Sequence, residues 1–452
     1  SIVGHLAAGV PGSVAGMWEA HQRFGTLPWA ELVQPAINLA EGIVVHERLA
    51  SSLQENVERL SIYPTTKATF LPGGEAPRVG DRFSQPELAA TLERIAADGK
   101  AGFYQGRTAE LIAAEMRRGG GLITEEDLAR YEAIWRDPVV FDYRGYSVIS
   151  MPPPSSGGAT MAEILNIMEG YDLTEMGYLS TEHVHVFAEA AKRAYADRNT
   201  YLSDPDFVPQ PVARMTSPEY AAERRSTISM TAATPSEEIQ PGLGPLPSES
   251  ENTTHYSVMD AAGNAVAVTT TINSLYGNRV TVTGAGFLLN NEMDDFAAKP
   301  GTPNQFGLVQ GEATAIEPEK RMLSAMTPTI VLNPDGSVRL VTGTPGGSTI
   351  ITTVAQIVSN VVDWGMDLPA ATAAPRLHHQ HLPDEIRYEK NGLHPEVVAA
   401  LEALGHTVDE RSGFQGDVQS ILVLPNGVLS GVSDPRRGGA AVGVREIRNV
   451  VQ

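Results

Sequence analysis

The stretch "PSESENTTHYSVMD" (247–260) decides how this chain is read. Up to Asn252 it is acidic, rich in serine and interrupted by Pro247. From Thr253 onward it turns strand-like, with apolar and polar residues alternating through Tyr256, Ser257 and Val258. The preceding run, 231–252, has lost all periodicity, and Pro235, Pro241, Pro245 and Pro247 stand in it among Gly, Ser and Glu. Such a run reads as an exposed, flexible loop that is easily reached. A strand that opens on Thr253-Thr254-His255 directly after it poses the question of what that junction is for.

Working outward, "DAAGN" (260–264) is a turn and "AVAVTTTI" (265–272) a second strand. "TPTIVL", "NPDG" and "VRLVTG" form another hairpin, and "QSILVL", "PNG" and "VLSGV" a third. "STIITTVAQIVSNVV" has apolar residues at helical spacing, and "PEVVAALEALG" is a helix opened by Pro395 and stopped by Gly405. The part before residue 231 is mostly helical. "SQPELAATLERIAADG" places Ser84 and Glu87 in capping-box spacing, and "TEEDLARY" does the same with Thr124 and Asp127. "TAELIAAEMRRGGG" ends on basic residues and glycines, as a helix C-terminus does. "TEHVHVFAEAAKRAYADR", from Thr181, is a helix with Val184, Val186, Phe187 and Ala190 near one face. "GYSVISM" is a short strand before Pro152–Pro154. Helices followed by alternating hairpins and helices imply an α+β protein whose sheets are covered by helices.

The 452 residues suffice for a large core, and the net charge of −21 disfavours nucleic acid as a partner. No apolar run reaches the length of a membrane span. With no cysteine, thiol nucleophiles, thiolate metal sites and disulfides are excluded together.

Most standard catalytic motifs are absent. "HHQH" (378–381) offers either a metal site or structural imidazoles in a loop, and the second is favoured because neighbouring side chains of an extended chain point apart. "NNEMDD" (290–295) supplies Glu292, Asp294 and Asp295, either a carboxylate site or a solvated loop. "PPPSSGG" (152–158) reads as a rigid turn and helix cap at Ser155 and Ser156. "TPGGST" places Gly346 and Gly347 ahead of an apolar helix, where backbone N–H groups can hold an oxyanion or simply make a tight turn. A mid-chain Thr253 lacks a base. If the bond after Asn252 is cut, the residue gains an α-amine of pKa about 7.7–8.0 that can take its own hydroxyl proton. From this local chemistry alone, a plain edge strand remains the simpler reading of Thr253.

Several long motifs change that balance. "TTHYSVMDAAGNAVAVTTTIN", "LLNNEMDDFAAKPG", "KRMLSAMTPTIV", "GTPGGSTIITTV", "YADRNTYLSDPDF", "PRLHHQHLPDE" and "SDPR" occur in the order found in γ-glutamyltranspeptidases (glutathione hydrolases), which the chain resembles from near Ser1 to about Arg436. The resemblance implies an N-terminal-nucleophile hydrolase with a four-layer αββα sandwich. It also implies self-cleavage between Asn252 and Thr253, giving a large subunit (1–252) and a small one (253–452) that intertwine in one unit. Thr253 is then the nucleophile, supported by Thr271. Asn273, Glu292 and Asp295 bind the substrate α-amino end, Ser324 its carboxylate, and Gly346 and Gly347 the oxyanion. Phe306 tips a lid loop, "GTPNQFGLVQGEAT", without the hydroxyl an aromatic there can carry. Ala325 stands where a second serine is common, and the family's N-terminal segment, with a substrate-pairing arginine and any secretion signal, is expected to be missing.

The substrates implied are glutathione and other γ-glutamyl amides, with water or an amino acid or peptide as acceptor. No metal or other cofactor is implied, and the expected location is periplasmic or extracellular. The alternatives are a related acylase (a β-lactam side-chain acylase or a poly-γ-glutamate depolymerase) and an inactive or truncated homologue.

Overall fold

The computed structural model describes residues 2–242, 253–297 and 312–444. Asn252 and Phe306 lie outside the described residues. The chain divides into two compact units, 1–136 with 271–294 and 137–270 with 295–452. Each unit therefore draws on sequence from both sides of the Asn252–Thr253 bond.

The first unit is helical, with α1 (Ser13–Phe24), α2 (Trp29–Glu41), α3 (Pro86–Asp98), α4 (Gly106–Gly119) and α5 (Glu125–Arg130). Two short strands, β1 (Ile43–Val44) and β2 (Arg82–Phe83), pair antiparallel. The sequence signals hold at α4, which ends on Gly120 in the left-handed region, and at α5, where Thr124 and Asp127 form the expected capping box. They fail at α3. Gln85, not Ser84, takes the cap position, and Glu87 instead accepts from Gly284 N at 3.1 Å. A tertiary partner has drawn away the side chain that the local rule assigns to the cap. The core joins Ile95, Phe103, Ile112 and Met116 to Val280, Val282 and Leu289 of the 271–294 segment.

The second unit is built on a six-stranded antiparallel sheet. Its strands are β3 (Val139–Tyr143), β4 (Tyr146–Ser150), β7 (Thr329–Leu332), β8 (Val338–Thr342), β12 (Gln419–Val423) and β13 (Leu429–Ser433), in the order β13-β12-β8-β7-β4-β3. Between β4 and β7 in the chain come α6 (Gly157–Glu169), α7 (Thr181–Tyr201) and the hairpin of β5 (Thr254–Met259) and β6 (Ala265–Thr270). α8 (Thr349–Val362) follows β8. A small sheet of β9 (Leu377–His378), β10 (Ile386–Glu389) and β11 (Val408–Arg411) closes around α9 (Pro395–Ala403). The three hairpins, the GYSVISM strand and both late helices lie where the sequence places them. β3 and the small sheet have no clear sequence signal, since their strands are two to five residues long.

The register explains the core. Phe141, Val148, Val331, Leu340 and Leu422 are successive cross-strand partners and form one apolar row. All five belong to the main cluster with α6, α7 and α8. One step along the strands the row becomes hydroxyls. Ser150 and Thr329 lie 3.0 Å apart, and Thr342 and Ser420 lie 2.6 Å apart. This polar row marks the end of the sheet where β4 and β8 finish and β7 and β12 begin. α7 departs from its one-faced reading, being buried nearly all round.

Candidate functional site

The loops beyond the hydroxyl row carry the second unit's share of the predicted site. Thr253, partly buried, directly precedes β5, whose ladder begins at Thr254↔Thr270. His255 fixes where that end lies. Its Nδ1 is 2.8 Å from Thr269 Oγ1 and its Nε2 3.1 Å from Ser257 Oγ, which in turn donates to Gln419 O on β12. The ring fills the space over Gly343, just past β8, where an added Cβ would come within 2.3 Å of it. Thr253 is thus carried to the end of the sheet from which β8 runs into α8. Burial holds the His255 pKa down at about 3, so the ring is neutral and acts as a strut.

Gly346 and Gly347 form the turn between β8 and α8, with φ of 141° and 59°, values that favour glycine. Their carbonyls accept from Thr349 N and Ile350 N, while their own N–H groups donate to nothing among the described residues. The turn is braced from behind. Ser348 O accepts from the Tyr195 hydroxyl, and Ser348 Oγ donates to Gln380 Oε1 at 2.8 Å. Of the two readings left open for these glycines, the unused donors favour the anion site.

Ser324 sits at the same sheet end, in a parallel bridge with Ser155. Its carbonyl accepts from Ser156 N and from the Oγ of Ser155 (3.1 Å) and Ser156 (2.7 Å), and its own Oγ accepts from Met326 N at 3.1 Å. Ser155 and Ser156 do build a rigid turn, but by gripping Ser324. Ser156 occupies the cap position of α6 without a side-chain cap bond, so that detail of the sequence reading is corrected. Ala325 directs its methyl into the main apolar cluster.

The first unit carries Thr271, Asn273, Glu292 and Asp294, and Asp295 is the first residue beyond its boundary. Asn273 is buried with φ of 67°, a strained value for a residue other than glycine. Its N–H donates to Thr271 Oγ1 at 2.8 Å and its Nδ2 to Asn291 O at 3.1 Å. Asn291 closes the ring by accepting from Ser274 N at 2.8 Å. Thr271, Asn273 and the NNEMDD run are thereby brought together, with Asn291 a member the sequence reading missed; its only sequence signal is the Asn-Asn doublet. Glu292, Asp294 and Asp295 lie in one 3-10 turn and are all buried, so a solvated loop is ruled out for them.

The histidine run is structural. His378 is 2.8 Å from Thr352 Oγ1 and 2.9 Å from Gln380 Oε1, and His379 is 3.2 Å from Asp384. One group among the described residues, His185, Glu189 and His406, has ligand atoms within 4.8 Å of one another. Glu189 there already binds Lys192, Arg193 and Thr234 N, so a cation would have to displace cations.

Comparison with known proteins gives a consistent picture. The chain matches the gamma-glutamyltranspeptidase family over residues 1–444. It is 51% identical over 439 residues to a glutathione hydrolase proenzyme of Escherichia coli, covering 96% of this chain and 75% of that one. It is 46% identical over 450 residues to a glutathione hydrolase proenzyme of Pseudomonas aeruginosa, covering 98% and 79%. Among solved structures, a cephalosporin acylase from Bacillus halodurans superposes with a TM-score of 0.84 at 29% identity, covering 96% of this chain and 78% of that one.

Proposed function

The chain belongs to the gamma-glutamyltranspeptidase family, and on that premise we propose that it is an enzyme made as a proenzyme, a γ-glutamyl hydrolase and transferase acting on glutathione and related amides. The observation that carries the reading is the setting of Thr253. It leads β5 at the sheet end where Gly346 and Gly347 hold unused N–H groups.

In the precursor the Thr253 hydroxyl attacks the Asn252 carbonyl. The acyl group passes from nitrogen to oxygen, water hydrolyses the ester, and Thr253 is left with a free α-amine. The fragments are 1–252 and 253–452, associated within a four-layer αββα sandwich. In the mature enzyme the α-amine takes the hydroxyl proton as Thr253 Oγ attacks the substrate γ-carbonyl. Gly346 and Gly347 donate to the oxyanion, the leaving amine takes the proton, and a γ-glutamyl ester remains on Thr253. Water releases glutamate; an amino acid or peptide gives a new γ-glutamyl amide.

Thr271 supports the nucleophile. Asn273, Glu292 and Asp295 recognise the α-ammonium group and Ser324 the α-carboxylate. Phe306 shields the site. This chemistry calls for no metal or organic cofactor. A periplasmic or extracellular location belongs to the same reading; no helix among the described residues is long and apolar enough to cross a membrane.

Gel electrophoresis under denaturing conditions tests the proposal. The wild-type chain is expected to split into two bands, the smaller beginning at Thr253, and to release p-nitroaniline from its γ-glutamyl derivative. Thr253→Ala is expected to stay whole and inert. Cleavage or turnover by that variant would sink the reading. The likeness to a cephalosporin acylase supports one rival, an acylase that prefers an acyl group without an α-amine. Faster release from glutaryl-p-nitroanilide than from the γ-glutamyl compound would decide for it.

A further inference from the structure

Ser324 is held at its N–H, its carbonyl and its hydroxyl oxygen. The N–H donates to Pro154 O at 2.9 Å, and the carbonyl accepts from Ser156 N at 2.6 Å. The Oγ accepts from Met326 N at 3.1 Å, while its proton goes to no acceptor among the described residues. A serine fixed in this way keeps one donor for an incoming group. The Ser324 carbonyl has a further hold in the Ser156 hydroxyl, at 2.7 Å. Ser155 does not replace it. A hydroxyl has one proton, and Ser155 Oγ lies 2.6 Å from Met326 O but 3.1 Å from Ser324 O, so its proton goes chiefly to Met326.

Arg198 decides where the Ser156 proton points. Its Nε lies 2.8 Å from Ser156 Oγ, and its Nη1 donates to Asn199 Oδ1 at 2.9 Å. A guanidinium N–H only donates and does not lose its proton, so Ser156 Oγ must accept there and turn its own proton to Ser324 O. Arg198 is fully buried in the last turn of α7, where a helix favours a cation. Tyr195 stands three residues earlier, and its hydroxyl donates to Ser348 O behind the Gly346–Gly347 turn. Residues three apart on a helix are neighbours, about 4.5 Å apart along the axis. The end of α7 thus braces two turns at once: Tyr195 the glycine turn and Arg198, through Ser156, the Ser324 turn.

We propose that Arg198 is a positioning residue for substrate recognition: through Ser156 it sets the Ser324 peptide so that the Ser324 hydroxyl meets the substrate α-carboxylate. The inference deepens the function put forward above and rests on Ser324 as the donor to that carboxylate. The bond at the Ser324 N–H fixes one backbone torsion of the residue and the bonds at its carbonyl fix the other. Together they aim its Cβ, and with it the Oγ. With Arg198 gone, the Ser156 hydroxyl is free to rotate, and the Ser324 carbonyl keeps Ser156 N and the weaker share of Ser155. The turn survives, but its hydroxyl is held less firmly in direction. The loss falls on carboxylate binding and not on acyl transfer at the glycine turn, which Tyr195 holds separately.

The test is Arg198→Met in the cleaved enzyme, with two p-nitroanilides. The γ-glutamyl compound carries the α-carboxylate. The 4-aminobutyryl compound keeps the amine but has no carboxylate, and is read as a competitive inhibition constant against the first. Arg198→Met is expected to raise KM for the γ-glutamyl compound about three- to tenfold, the scale of one hydrogen bond, with kcat within about twofold of wild type. The inhibition constant of the 4-aminobutyryl compound is expected to stay within about twofold. Ser156→Ala, which removes the hydroxyl between Arg198 and Ser324, gives the same readouts should Arg198→Met not fold. Equal losses on both compounds, an unchanged KM, or a fall in kcat alone would overturn the inference. Ser324→Ala separates it from its premise, since that variant is expected to weaken the γ-glutamyl compound only. If Ser324→Ala weakens both alike or neither, the carboxylate role of Ser324 falls and the role of Arg198 with it. If Ser324→Ala is selective and Arg198→Met is not, Arg198 alone is ruled out.

Discussion

Two strand-to-helix turns leave the same end of the central sheet, and both run through a glycine pair. β4 passes through Gly157-Gly158 into α6, and β8 through Gly346-Gly347 into α8. In the first, neither glycine has a positive φ. An added Cβ would lie 2.6 Å from Met326 O at Gly157 and 2.5 Å from Met151 O at Gly158, and both N–H groups are used. In the second, both glycines are in the left-handed region and neither N–H has a partner among the described residues. The first pair is glycine because the chain must approach another backbone. The second is glycine because the turn aims two donors outward. The same doublet answers two separate physical demands.

The sharpest way to break this contrast is Gly346→Ala. The new Cβ would meet Thr349 Oγ1 at 2.6 Å in a disfavoured conformation. Misaiming one oxyanion donor is expected to lower kcat by about 10²- to 10³-fold with little change in KM. A mainly KM effect, seen by steady-state kinetics, would remove the anion role.

Next in size is Tyr195→Phe, which removes the hydroxyl bonded to Ser348 O behind the turn. A fall in kcat of about tenfold is expected, of the order of one lost positioning hydrogen bond. Unchanged kcat would mean the turn holds its shape alone.

Gly157→Ala is expected to act on stability instead, costing about 1–3 kcal/mol in a denaturant titration through overpacking while leaving the kcat of the folded enzyme intact. A kcat loss at constant stability would put the two turns in one class.

A pH dependence acts on the whole fold and leaves the contrast between the two turns untouched. Burial depresses His255 and His378 to about 3 and His379 to about 4, below the 6.5 of an ordinary imidazole. The unfolded chain therefore takes up protons that the folded chain refuses, and stability falls as pH drops from 6.5 toward those values. By pH 5 this is about 2 kcal/mol per ring, read as a declining melting temperature. Because His378 shares Gln380 with Ser348, His378→Gln is expected to flatten that decline.

The sequence by itself determined the hairpins, the capped and stopped helices and the family. Those signals are read along the chain: period-two alternation, glycine stops, Thr124 with Asp127, and long ungapped motifs in a fixed order. It misjudged Ser84, whose box partner Glu87 instead accepts from Gly284 N, and Ser156, whose hydroxyl donates to Ser324 O. It did not find Asn291 or His255. Those were decided by tertiary structure alone. Whether an N–H is used, a carboxylate solvated or a charge paired depends on groups far away in the chain, and no local pattern records them.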